Sequence, residues 1–95
     1  MRSQFLLNKK TVVNGAVVEM RGHQMATTAA MEAIAQLKKL YDKSSGWRLT
    51  HWVENRNGGR LVDFEMEAER SLDGDKELVV MFSMVRQVEP VRRYR

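Results

Sequence analysis

Three short turn-forming pairs, Asn14-Gly15, Asn57-Gly58 and Asp73-Gly74, punctuate this chain between runs rich in β-branched and aromatic residues. Such pairs readily supply the two positive-φ positions of a tight hairpin, so they commit the flanking segments to antiparallel pairing. Strands are expected at about 4–13 and 16–21. Opposing Val13 with Ala16 sets Lys10 against Glu19 and places Phe5, Leu7, Val18 and Met20 on one face as core candidates.

From Thr27 the period changes. Ala30, Met31, Ile34, Leu37, Leu40 and Tyr41 recur every three or four residues, with Glu32, Gln36, Lys38, Lys39 and Asp42 between them. This spacing predicts an amphipathic helix over 27–44, capped by Thr27 or Thr28 and stopped by Gly46.

Trp47 to Asn55 and Arg60 to Glu69 alternate again, and a turn at Asn57-Gly58 pairs His51 with Phe64, Val53 with Val62 and Leu49 with Met66 on an inner face. Leu78 to Val88 adds a last strand, whose Val79, Met81 and Val85 extend that face. The order is β-β-α-β-β-β, an α+β fold: an antiparallel sheet with one amphipathic helix packed on one face. At 95 residues, 43% of them apolar, the chain supports one core, so 1–95 reads as a single domain with a short basic tail at 90–95.

The last strand is apolar on its second face as well. Leu78, Val80, Phe82 and Met84, joined by Trp52 and Leu61 in the expected registers, form a patch rimmed by Asp63, Glu65 and Arg48. Aromatic, Met-containing, Arg-rimmed composition suits a protein interface. These six apolar residues are the expected interface of a homo-oligomer, with the N-terminal hairpin folding over them as the competing arrangement.

The net charge of +4 is unevenly distributed. Residues 1–25 carry +3 and residues 77–95 carry +2, whereas 47–76 carry −2. Excess positive charge at both ends nominates Arg2, Lys9, Lys10, Arg92, Arg93, Tyr94 and Arg95 for nucleic-acid contact, the arginines and lysines neutralising phosphate and Tyr94 stacking.

Catalytic and metal chemistry find little support. Cysteine is absent, which removes thiolate nucleophiles and ligands and suits a reducing, cytoplasmic setting. His23 and His51 have no ligand-type spacing, and His51 reads as a partly buried strand residue. Asp63, Glu65, Glu67 and Glu69 lie on one strand face, as a solvated acidic row balanced by arginines. Gly58-Gly59 lacks the Lys-Ser/Thr and helix of a phosphate loop, and Asp73-Gly74-Asp75 lacks the other ligands of a calcium loop. No segment is apolar enough to span a bilayer.

These readings converge on a non-enzymatic regulatory binding protein without cofactor, catalytic residue or metal. It is expected to self-associate and to touch nucleic acid through its basic ends. The alternative is an inhibitor or adaptor, of the kind a phage encodes, that docks a host protein on the apolar patch.

Overall fold

A computed structural model describes residues 3–74 and 76–88. The elements are β1 (Ser3–Val13), β2 (Ala16–Ala26), α1 (Thr27–Leu40), a single 3-10 turn (Lys43–Ser45), β3 (Arg48–Asn57), β4 (Arg60–Leu72) and β5 (Lys76–Val88). They form a five-stranded sheet in the order β2-β1-β5-β4-β3, antiparallel throughout. Arg2 and the tail 90–95 lie outside the described residues.

The first turn follows the expectation: Val13 faces Ala16, with Asn14 at φ 49° and Gly15 at φ 81°. Asn14 also joins the hairpin tip to β5. Its amide N–H donates to the Glu77 carbonyl at 3.0 Å and its Oδ1 accepts from the Glu77 N–H at 2.8 Å. The second turn sits one residue later than expected. Gly58 (φ 58°) and Gly59 (φ 82°) are its central residues, flanked by the pair Asn57 and Arg60. Two glycines take positive φ without Cβ strain, so the turn uses both and Asn57 stays in the strand.

Single extra residues then decide which side chains go inside. Thr11 faces Glu19 while Val12 faces Val17, leaving Val18 as a bulge; Val62 and Thr50 are extra in the β3–β4 pair. Each insertion reverses the alternation beyond it. Lys10 consequently faces Met20, not Glu19, and Met66 faces Trp52, not Leu49. Between β4 and β5, Phe64 stands opposite Met84 and Met66 opposite Phe82.

The core therefore differs from the expected inner face. Phe5, Leu61, Phe64, Met66, Ala68, Val80, Phe82 and Met84 are buried in one cluster with Ala30, Ile34 and Leu37 of α1. Of the six residues expected to form an intermolecular patch, Leu61, Val80, Phe82 and Met84 are thus buried in the core cluster that also holds Ala30, Ile34 and Leu37, and Trp52 and Leu78 pack against it. Val18 (60% exposed), Met20 (73%) and Val85 (51%), expected inside, are outside.

The helix can reach because of its length. It leaves β2 at one edge and delivers the chain to β3 at the other. Its 14 residues span ~21 Å, against ~19 Å between the edges of a five-stranded sheet. Tyr41 meets Phe82 of β5 at 5.8 Å between ring centroids, and Lys38 lies 5.7 Å over the Trp52 ring of β3. The helix ends at Leu40, short of the expected 44, because the Ser45 hydroxyl donates to the Leu40 and Asp42 carbonyls and tightens the chain into a 3-10 turn. Ala26 is the N-cap, without a side-chain hydrogen bond, so neither threonine takes the capping role expected of it.

Candidate interaction surface

Strand pairing resolves the face away from the buried cluster into rows that run from edge to edge. The central row is Met20, Lys10, Met81, Glu67, His51. Beside it lie Gly22, Asn8, Ser83, Glu65, Val53, and then Gln24, Leu6, Val85, Asp63, Asn55. Over the first two rows lies a shallow trough of about 570 Å3 bordered by Asn8, Lys10, Met20, His51, Glu65 and Met81. Gly22 sets one wall of it, because a Cβ there would come within 3.2 Å of Asn8 Oδ1.

The four carboxylates of β4 share this face, as their spacing predicts, and each is engaged from β3. Asn55 Nδ2 donates to Asp63 at 2.5 Å, His51 Nε2 lies 2.9 Å from Glu65, Thr50 donates to Glu67 at 2.9 Å, and Arg48 pairs with Glu69. His51 is exposed, not buried among apolar neighbours. Ser83 stands in the Glu65 row on the side away from β3, so the carboxylate separates the hydroxyl from the imidazole. Nucleophilic catalysis needs the imidazole in the middle, so this trio is not arranged for acyl transfer. Among the described residues, no group of three or more His, Asp or Glu is placed to hold a metal ion.

Of the expected nucleic-acid contacts, only Lys9 and Lys10 fall within the described residues, and alternation sends them to opposite faces. Lys9 Nζ ion-pairs with Glu19 at 3.2 Å and lies 5.8 Å from the centroid of Phe82, on the core side. Arg21 Nε binds the same carboxylate at 3.0 Å. The hydrogen bond from Lys9, together with the Arg21 charge, holds the Glu19 carboxyl below its ordinary range. Lys10 has no ion-pair partner among the described residues and lies between Met20 and Met81.

At the other edge, Glu54 accepts from Trp52 Nε1 at 3.1 Å and from Arg56 at 2.9 Å. The Trp52 hydrogen bond, then Arg56, lowers its carboxyl pKa. Burial alone pushes the Tyr41 phenol up.

The outer-face residues Met81 and Val85 were legible only through a weak signal: of the two alternating sets on β5, theirs is the one that also contains Ser83 and Gln87. No helix among the described residues is long and apolar enough to cross a membrane. Comparison with protein-family models, curated proteins and solved structures finds no match to this chain.

Proposed function

We propose that the chain is a non-enzymatic, self-associating regulatory protein of the cytoplasm that binds nucleic acid through the basic segments flanking its sheet. In this reading one face of the sheet is given to α1 and the other is left for a partner. The observation that supports nucleic-acid binding most directly is the pairing of β1 with β5, in which Ser3 faces Val88. Arg2 lies one residue before Ser3, and Arg92, Arg93 and Arg95 follow Val88 within seven residues. The described part of β1 thus begins at the end of the sheet where the described part of β5 finishes, and in this reading the basic residues beyond Ser3 and Val88 act together on phosphate backbone.

Replacing Arg92, Arg93 and Arg95 together with alanine tests this. Binding to duplex DNA should weaken on all sequences alike, with the salt dependence flattened by up to ~0.9 log units per lost phosphate contact. Folding should be unchanged. An unmodified protein that binds neither DNA nor RNA at low salt overturns the nucleic-acid reading.

A further inference from the structure

The central row of the outer face is complementary to itself about one axis, and the geometry points to a second copy of this chain as the occupant of that face. The inference rests on the self-association proposed above and adds the surface and the symmetry.

Consider a two-fold axis parallel to β5, midway between two stacked sheets. Rotation about it keeps each row at its own level and reverses its direction. The row Met20, Lys10, Met81, Glu67, His51 then lies on its own reverse. Lys10 faces Glu67 of the second copy, Met81 faces its own counterpart, and Met20 faces His51 of the second copy. In the next row Asn8 faces Glu65 of the second copy and Ser83 faces Ser83. Among the described residues Lys10 is a cation without an ion-pair partner, set among methionines, and Glu65 and Glu67 are met by His51 and Thr50 respectively. Each face thus carries its unmatched positive charge on the β1 side and its surplus negative charge on the β4 side, which is the arrangement an isologous contact requires.

Size and alternatives favour the same occupant. Five strands at ~4.8 Å and seven residues of β5 at ~3.4 Å cover roughly 600 Å2 in plan, near the ~800 Å2 per partner of accessible surface in a stable interface. Strand addition at the sheet edges is disfavoured, because both edge strands are bulged, at Val18 on β2 and Thr50 on β3.

Sedimentation of the full chain over a concentration series should show a dimer. Lys10→Glu and Glu67→Lys should each weaken it by about tenfold or more, and the double swap should recover most of the loss. Ser83→Cys introduces the sole cysteine on the two-fold axis. Packed sheets lie ~10 Å apart, too far for a direct disulfide, so a short bismaleimide is the appropriate reagent. It should cross-link Ser83→Cys and leave the off-face control Ser44→Cys without a covalent cross-link. If a charge variant fails to fold by circular dichroism, the cross-linking decides alone.

A dimer indifferent to both charge variants, or a Ser83→Cys protein that does not cross-link, overturns this surface and leaves self-association standing. A concentration-independent monomer overturns both and leaves nucleic-acid binding standing. Protection of Ser83→Cys from maleimide labelling by nucleic acid, in a protein that does not cross-link without it, assigns the face to that ligand and overturns the inference.

Discussion

Lys9 and Lys10 are neighbours in sequence and stand on opposite faces of β1: Lys9 is ion-paired with Glu19 at 3.2 Å on the core side, and Lys10 faces Met20 and Met81 on the other. Their substitutions should therefore separate. Lys9→Ala removes the ion pair and the aliphatic cover of Phe82, and is expected to lower unfolding stability by ~0.5–1 kcal/mol. Lys10→Ala is expected to stay within ~0.5 kcal/mol for the isolated chain, measured by urea denaturation at low protein concentration.

The two alternating sets of β5 provide a sharper contrast. Phe82→Ala deletes a ring packed against Tyr41 inside the cluster and should cost ~3–5 kcal/mol. Val85→Ala, at a position 51% exposed, should cost ~0.5 kcal/mol or less. Equal losses in thermal denaturation would mean that the faces are assigned the wrong way round.

That assignment is also where the sequence was least legible. Hairpins, helix and element order follow from turn pairs and periodicity, because those signals are local. Which alternate residues go inside does not, because it turns on Val18, Val62 and Thr50, single residues inserted into otherwise regular ladders. Nothing about Val62 itself marks it as extra. The acidic row on β4 survives these shifts because it depends on the alternation of one strand alone. The basic pair Lys9-Lys10 does not survive as a patch, for the same alternation divides it.

Turn placement has its own test. Gly58→Ala and Gly59→Ala impose a Cβ on residues at φ 58° and 82°, and each should destabilise by ~1 kcal/mol. Asn57→Ala, in the strand, should be nearly neutral. At the first turn Asn14→Ala loses both a residue tolerant of positive φ and the acceptor for Glu77 N–H, at a cost of ~1–2 kcal/mol.

Acid should weaken the fold in part through Glu54. Its carboxyl titrates below the ordinary 4.5 because Trp52 and Arg56 donate to the charged form. A carboxyl with a lowered folded-state pKa contributes stability above its unfolded value, and that contribution disappears as pH falls through the folded value. Between pH 7 and 3 the unfolding free energy should thus fall less steeply for Glu54→Gln than for the unmodified chain. Parallel curves would remove Glu54 from the account.

The central position of β5 has a consequence for how the molecule comes into being. Of the five described strands β5 is the last to be synthesised, and it is the one that joins β1 to β4. Until residues 76–88 emerge, β1–β2 and β3–β4 are two separate hairpins, each too small to persist alone in water. Phe5, made well before β5, waits for Arg86 to arrive opposite it. Closing such distant pairings is slow, so the nascent chain spends its synthesis with the apolar sides of both hairpins uncovered. A chain interrupted before β5 should be recognised as unfinished over its whole length and cleared by proteolysis.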